Sequence, residues 1–402
     1  MKWKWMQYLM YPDEVFDTVK LRFGYGNVLK TQRDTTKLNK NIQKCYERLW
    51  YTIGSYSLFI KAMDVEIGSL IAVLTTIFRA VDTIEDDTGL SIEERKRMLR
   101  EFPKYLDNPS WDYQDCKAKQ ADVLRNFKDI SAAYRSFPIE YQELLGHLAK
   151  DFSQKIAHYL SKDIHDIHEW HEYHSIIGGD VAVAVGMLAE KQGCEPGLLD
   201  DMHSGLKKAA SWNMEITSLK DFHEDIAQGT LKWPTSIVSK YCKHPSELLD
   251  EKNREAAILC SNEIITECFY IPEFINYFGN IKTPELFHFC AVPVAFGIVF
   301  AEMIYGTDLP YQRVRRIRVG TISKVTLACH DYKGFLSVFY YYISKIYNKI
   351  SDSDPNGARM RGYCEEALRA CKTDRVFNPD SSHTASAAMV IAPVMLGAWA
   401  LT

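Results

Sequence analysis

The sequence lacks the short motifs that mark several common classes of protein. It has no Walker A sequence, and Gly24 and Gly26 do not complete a G-x-G-x-x-G pattern, so neither a P-loop nor a Rossmann site is supported. Its ten cysteines are scattered without C-x-x-C spacing, which argues against a structural zinc site or a disulfide framework and favours a reducing compartment. Nothing suggests a Ser-His-Asp triad. Any nucleotide cofactor must therefore bind without these motifs.

A strong charge bias is also lacking. The formal net charge is −4 over 402 residues, and no long basic run with interleaved aromatic residues occurs, so the sequence gives no argument for a nucleic-acid partner. The first residues, MKWKWMQYLMYPDE, have no adequate apolar region and do not form a secretory signal. Hydrophobic residues make up 47% of the chain, which is enough for a sizeable core.

Alternating strand patterns are absent, and apolar residues recur at the three- and four-residue steps typical of helices. The sequence therefore predicts an all-α fold, with one domain of antiparallel helices around a central cavity over residues 1–371. Residues 372–384 are polar and predict a linker. Residues 385–402 carry no charge and are just long enough to span a bilayer. We expect this segment to be a membrane anchor; an apolar helix packed on the core is the alternative.

One acidic pattern, Asp-x-x-Glu-Asp, occurs twice, once inside FRAVDTIEDD and once inside KDFHEDIAQG. On a helix this spacing projects all three carboxylates of a copy in one direction. Crowded carboxylates repel each other and lose solvation, so they need a cation, and Mg²⁺ is typically held by one or two carboxylates with phosphates and water. The predicted metal ligands are Asp82, Glu85, Asp86, Asp221, Glu224 and Asp225.

A basic residue lies just before each acidic copy, Arg79 in the first and Lys220 in the second, as a phosphate site requires. We expect the two copies to face each other across a cavity and hold a metal-bound diphosphate; a solvated acidic helix face is the alternative. The implied chemistry is departure of diphosphate from an allylic substrate. The resulting carbocation needs shielding from water and aromatic stabilisation, for which the apolar helix with Phe287 and Phe289 is suited. Ordinary core packing is the alternative for these two rings.

Four histidines recur every three residues, at positions 165, 168, 171 and 174. Three-residue steps drift around a helix by about 60° each, so the four rings cannot converge on one ion. We therefore expect a polar helix face rather than a zinc site.

A basic cluster comprises Arg313, Arg315, Arg316 and Arg318. A solvated charge cluster and an anion site are both compatible with it.

Several segments, in order from about Cys45 to about Gly357, closely resemble the squalene/phytoene synthase family. FRAVDTIEDD and KDFHED…QG…WP resemble its two aspartate-rich signatures, and HEYHSIIGG resembles its tyrosine-containing motif. LFHFCAVP resembles the aromatic pocket segment of the family, and RRIRVG its basic motif near the nicotinamide cofactor. A terminal apolar anchor is also a feature of the squalene-forming members.

The resemblance implies an all-α isoprenoid-synthase fold and a two-step reaction. Two farnesyl diphosphates would condense head to head to presqualene diphosphate, which would then be rearranged and reduced by NADPH to squalene, the first step committed to sterol biosynthesis. It also implies Mg²⁺, with Mn²⁺ as an alternative, and a monomer anchored in the endoplasmic reticulum membrane facing the cytosol.

The resemblance also assigns residue roles. It implies that Tyr173, Phe289, Asp82 and Asp221 are catalytic, that the six carboxylates bind Mg²⁺, and that Arg79, Lys220, Arg316 and Arg318 contact phosphate groups of substrate or cofactor. Substrate contacts would come from Ser55, Arg79, Phe287, Cys290 and Pro293.

Two departures affect phosphate contacts. Gly54 stands where the family often has arginine, and Lys220 replaces a usual arginine, giving a point charge in place of a bidentate fork. A phytoene- or dehydrosqualene-type synthase without the reductive step is the alternative function, and a non-catalytic membrane scaffold is the other; RRIRVG and the apolar segment favour the squalene-forming branch.

Overall fold

The computed structural model describes residues 12–22, 33–195, 198–308 and 316–379. Within these ranges every regular element is a helix, which confirms the all-α prediction. The described residues fall into two units. The first unit comprises 33–195, 198–211 and 232–235, and the second comprises 12–22, 212–231, 236–308 and 316–379. The predicted membrane segment 385–402 lies outside the described residues, so its role stays a prediction, as do the domain boundaries.

The described α-helices are numbered in chain order. In order they are Pro12–Arg22 (α1), Lys40–Ile53 (α2), Ser57–Ala62 (α3), Val65–Glu85 (α4), Ile92–Asp107 (α5), Asp122–Arg125 (α6), Phe127–Arg135 (α7), Ile139–Tyr159 (α8), Ile167–His174 (α9), Val181–Lys191 (α10), Leu198–Lys220 (α11), Phe222–Gln228 (α12), Thr235–Val238 (α13), Arg254–Glu267 (α14), Pro284–Ile304 (α15), Val319–Ala328 (α16), Tyr332–Lys349 (α17) and Gly357–Ala370 (α18). The shorter elements are 3₁₀ turns at Gly54–Tyr56, Pro245–Leu249, Glu251–Asn253, Ile271–Glu273 and Ile275–Asn280, and a π-helical segment at Ser175–Asp180.

Helix α4 is the core helix of the first unit. It begins at an N-cap, Asp64, whose side chain accepts a hydrogen bond from the backbone N–H of Glu66. Most of its side chains are buried against α2, α5 and α8, and each large aliphatic one contributes about 1.5–3 kcal/mol. The half-buried residues Thr75, Arg79 and Asp82 recur at steps of four and three, so they lie on one face. Packing therefore fixes the face on which the first acidic copy is presented.

Helix α15 has the same role in the second unit. Pro284 occupies its first turn, where a missing N–H costs nothing, and Pro293 lies inside the helix. Phe287 is buried and its ring lies 6.2 Å from that of Phe335 on α17. A second face of α15 is only half-buried and runs along the helix at three- and four-residue steps. We call it the α15 open face; its residues are Phe289, Cys290, Pro293, Phe296 and Phe300.

Among the described residues, two helices, α4 and α15, are long and apolar enough to cross a membrane by length and composition. However, 83% and 72% of their most apolar windows are buried inside the protein. Core helices of a globular fold have this property, so their apolar composition is explained by packing.

Candidate active site

The first acidic copy lies where α4 ends. Asp82 and Glu85 belong to its last turn and Asp86 is the C-cap. This end of a helix carries partial negative charge, which makes three carboxylates there costly without a cation. Arg79 supplies part of the compensation: its Nη1 lies 3.4 Å from Asp82 Oδ2, and its Nη2 donates to the carbonyl oxygen of Thr52 at 3.2 Å.

Burial changes the acidity of this cluster. It raises the pKa of Asp82 to about 6, against the opposing effect of Arg79. Burial, followed by repulsion from Asp82 and Asp86, raises the pKa of Glu85 to about 8. The pKa of Asp86 is raised as well, again chiefly by burial. A bound cation would stabilise the ionised form of these three carboxyls, because its positive charge offsets their negative charge.

Two basic residues beside the first acidic copy, Lys232 and Arg95, come from other segments of the chain. Lys232 donates from Nζ to the carbonyl oxygen of Lys162 at 2.7 Å, and its charge lowers the pKa of Glu85. Burial lowers the pKa of Lys232 itself. Arg95, on α5, donates from Nη1 to the carbonyl oxygen of Glu85 at 2.5 Å. The predicted site thus gains two cations that spacing along the sequence did not reveal.

The second acidic copy is built differently from the first. Lys220 ends α11, Asp221 is the N-cap of the short helix α12, and Glu224 and Asp225 lie in the first turn of α12. The copy therefore spans a break between two helices rather than one continuous helix, which corrects the expectation from its spacing. Negatively charged side chains in the first turn of a helix are favoured by the helix dipole.

Lys220 joins the second acidic copy to the α15 open face. Its ammonium group pairs with Asp221 Oδ1 and lies 5.6 Å from the ring centroid of Phe300. Lys220 and Asp221 are both largely shielded, with side chains 21% and 28% exposed. Within the second unit, a carboxylate–ammonium pair therefore borders an apolar, partly aromatic surface.

Phe287 and Phe289 lie on different faces of α15. Phe287 is 4% exposed and packs into the core, where its ring also meets that of His288 edge-on. Phe289, Cys290 and Pro293 belong to the half-buried open face. Residues two apart on a helix are about 200° apart around its axis, which is why the two rings separate.

Tyr173 lies near the end of α9, directly before the π-helical segment Ser175–Asp180. Its ring centroid is 5.4 Å from that of Tyr159 on α8. A Cβ atom added to Gly179 would lie 2.6 Å from Ser211 Oγ and 2.7 Å from Lys207 Cγ, so glycine lets this segment approach α11 closely. Such π segments occur frequently at functional sites.

The histidine segment does not form the uniform polar face expected from its spacing. His165 and His168 are exposed, whereas His174 is 1% exposed and its Nδ1 is hydrogen bonded with the carbonyl oxygen of Trp170 at 2.8 Å. Burial lowers the pKa of His174 to about 3. His174 is thus a core residue behind Tyr173. Among the described residues, no group of three or more His, Cys, Asp or Glu side chains is arranged as a ready metal site.

No protein-family model matches the chain. Squalene synthase of Rattus norvegicus is 26% identical over 354 residues, which cover 88% of this chain and 85% of that protein. The human squalene synthase gives the same values, and squalene synthase 1 of Arabidopsis thaliana is 24% identical over 386 residues, 93% of this chain and 91% of its own length. A solved structure of TcSQS with the ligand BPH1237 is similar in fold, with a TM-score of 0.79 at 19% identity, over 83% of this chain and 99% of that one.

The chain is similar to squalene synthases of animals and plants over most of its length, which fits the squalene/phytoene synthase family. Its match extends across nearly the whole length of these relatives, and the all-helical fold agrees with the structural neighbour.

One departure from the family pattern has a backbone cause. Gly54, where squalene synthases often have arginine, ends α2 with φ 59° and ψ −139°, and its N–H donates to the carbonyl oxygen of Trp50. Residues other than glycine rarely adopt these backbone angles. The neighbouring Ser55 follows in the 3₁₀ turn Gly54–Tyr56. The end of α2 therefore has a backbone conformation that favours glycine at position 54.

The basic segment of the family pattern is described in part. Arg316 and Arg318 are exposed, and Arg318 is the N-cap of α16. Arg313 and Arg315 lie outside the described residues. The two described guanidinium groups thus lie at a helix N-terminus, where the dipole also favours anions.

Proposed function

We propose that this chain is a squalene synthase. As a prenyltransferase it would join two farnesyl diphosphates head to head into presqualene diphosphate, and it would then rearrange and reduce that intermediate to squalene. The observation that carries the proposal is the cluster of Asp82, Glu85 and Asp86 at the end of a core helix, bordered by Arg79 and Lys232, with the pKa of each carboxyl raised.

The donor set suits Mg²⁺. Carboxylate oxygens are its preferred protein ligands, and one or two of them suffice when substrate phosphates and water complete the shell. This explains why a site of this kind need not contain three converging acids before substrate arrives. In the proposal, Asp82, Glu85 and Asp86 hold metal on the first unit, and the residues Asp221, Glu224 and Asp225 hold metal on the second. When bound, the metal would neutralise charge on the departing diphosphate.

The surrounding bases would bind the diphosphate groups. The planar guanidinium of Arg79 lies beside Asp82. Its Nε is buried without a hydrogen-bond partner in the described part of the chain. Such an orphaned donor is costly unless a ligand satisfies it. Lys232 and Arg95 add positive charge beside the first copy, and Lys220 adds it beside the second.

The α15 open face would shield the carbocation. Phe289 is aromatic, and aromatic rings attract cations, while Cys290 and Pro293 add surface of low polarity beside it. Excluding water prevents the carbocation from being quenched as an alcohol. Phe287 would act indirectly, since its ring packs in the core behind this face.

Tyr173 would handle the proton lost in the condensation. Its place between α9 and the π segment is fixed by packing against Tyr159 and by the buried His174 behind it, with ring centroids 5.4 and 5.2 Å from that of Tyr173. A phenol held this rigidly can exchange a proton without reorienting. Ser55, in the 3₁₀ turn that follows α2, would contact substrate.

NADPH would supply the hydride in the second step. Arg316 and Arg318 are exposed guanidinium groups at the start of α16, a donor set that suits the phosphates of a dinucleotide. The family pattern assigns Arg79 and Lys220 to phosphate groups of substrate or cofactor as well. We further propose that the chain acts as a monomer on the cytosolic side of the endoplasmic reticulum, attached through residues 385–402.

The condensation step can be tested without NADPH. Purified protein is incubated with farnesyl diphosphate and Mg²⁺, and products are identified by mass spectrometry. Presqualene diphosphate should accumulate, and an excess of EDTA should abolish it until Mg²⁺ is restored. Farnesyl diphosphate left unchanged by a folded, Mg²⁺-replete sample would overturn the proposal and favour a non-catalytic scaffold.

A further inference from the structure

A groove of about 540 Å³ lies on the second unit, apart from every residue assigned above. Its walls are the helix α17, the last turn of α18 and the segment that follows α18. The groove is formed by residues of one unit only. Nothing in the proposed reaction uses it.

The lining of the groove is strongly cationic. It includes Arg369, Lys372 and Arg375 and no acidic residue. Arg375 is neutralised by Asp331, which accepts from its Nη1 at 2.6 Å. Arg369 and Lys372 are exposed and form no side-chain hydrogen bond or ion pair within the described residues. Two uncompensated positive charges therefore face the same groove, and their natural partner is an anion.

Apolar and aromatic groups line the groove beside these cations. The ring of Phe377 packs edge-on against that of Tyr341 at 5.5 Å. Tyr340 and Val376 are unusually exposed for their type, at 46% and 85%. Exposed tyrosine beside apolar groups is typical of surfaces that meet both water and hydrocarbon. The groove thus suits an amphiphile with an anionic head rather than a free anion.

The position of the groove in the chain points to the same ligand. Phe377, in its wall, precedes by eight residues the uncharged segment that starts at Ala385. Eight residues span at most about 29 Å when fully extended. If residues 385–402 enter a bilayer, the groove is held within that distance of the headgroups, where basic residues attract anionic lipids.

We propose that this groove binds the headgroup of an anionic phospholipid at the membrane surface. Arg369 and Lys372 pair with the lipid phosphate, and Tyr340 and Val376 contact the glycerol and the first methylene groups. This is a lipid site separate from the catalytic residues, and it orients the second unit on the membrane to which the chain is attached.

The test uses the full-length chain in a neutral detergent. It is mixed with equal amounts of phosphatidylglycerol and phosphatidylcholine of the same acyl chains, and the lipid retained is measured by native mass spectrometry. Wild-type protein should retain more phosphatidylglycerol than phosphatidylcholine. In Arg369→Gln/Lys372→Gln this preference should fall about 30-fold, as expected for loss of two cations that face an anionic headgroup.

A matched double variant separates a site from general charge. Arg100→Gln/Lys150→Gln also removes one arginine and one lysine that are exposed and unpaired in the described chain, but on the first unit. It should keep the wild-type lipid preference, and both variants should keep wild-type turnover and melting temperature. Equal loss of preference in both variants, no loss in either, or displacement of the lipid by millimolar inorganic phosphate would overturn the proposal.

Discussion

The ammonium group of Lys220 lies over the ring of Phe300, 5.6 Å from its centroid, while it pairs with the carboxylate of Asp221. This contact links a proposed metal ligand at the end of α11 to the apolar open face of α15. An aromatic ring here restricts the flexible lysine side chain through a cation–π contact.

Phe300→Leu should therefore weaken substrate binding more than catalysis. Loss of the cation–π contact frees the Lys220 ammonium, so we expect KM for farnesyl diphosphate to rise about three- to tenfold with a smaller change in kcat. Steady-state kinetics of the condensation step measure both. Phe300→Tyr keeps the ring and serves as the control, with near-wild-type KM. An unchanged KM in Phe300→Leu would show that the contact does not position Lys220.

Asp82→Asn should abolish condensation and leave the fold intact. The amide keeps the shape of the side chain but removes a charge that the metal and diphosphate require, so we expect a loss of at least about 100-fold in kcat. Burial raises the pKa of Asp82, so the charged form is disfavoured in the folded protein and removing the charge should not lower the unfolding free energy. Asp115→Asn, at an exposed acid, is the matched control. Normal presqualene diphosphate formation by well-folded Asp82→Asn would rule out this metal ligand.

His174 should make the fold sensitive to acid. Its pKa is about 3 in the folded protein and near 6.5 when unfolded, so the unfolded chain binds an extra proton between these values. The stabilisation is complete above pH 6.5 and declines by about 1.4 kcal/mol per unit as the pH falls towards 3. In denaturant unfolding at pH 7.5 and 5.5, His174→Asn should show a shallower pH dependence than wild type. His168→Asn, at the exposed surface, should not. Identical slopes for all three proteins would contradict this account.

Gly179→Ala should distort the segment behind Tyr173. The added Cβ would lie 2.6 Å from Ser211 Oγ and 3.1 Å from the carbonyl oxygen of Lys207, and the backbone atom cannot move aside cheaply. We expect a loss of about 1–3 kcal/mol in unfolding free energy and slower condensation. Gly362→Ala is the control, because its Cβ would meet nothing within 4 Å and should stabilise α18 by up to about 1 kcal/mol. Equal melting temperatures for the two variants would argue against the close approach.

Periodicity predicted the helices and the face of the first acidic copy, because packing along α4 follows the apolar spacing directly. It failed at Asp221, where α11 ends and α12 begins inside a pattern that looks continuous in sequence. Periodicity also failed for His174, because contacts with neighbouring helices decide which of the four periodic histidines is buried. Spacing cannot show such long-range contacts.

The bases Arg95 and Lys232 were missed for a related reason. Lys232 is 147 residues from Glu85, and only the fold brings the two charges together. A weak signal existed, because Lys232 precedes the Trp-Pro pair of the second aspartate-rich signature. Phe287 and Phe289 show the opposite case: both were proposed from an apolar run, and helix geometry separates them onto the core and the open face.

Product analysis with and without NADPH tests the central claim most directly. The full-length chain is given farnesyl diphosphate and Mg²⁺, and hydrocarbon and diphosphate products are separated by mass spectrometry. The account predicts squalene only when NADPH is present and presqualene diphosphate when it is absent. A dehydrosqualene-type product that forms equally with and without NADPH would contradict it and assign the chain to the non-reductive branch of the family.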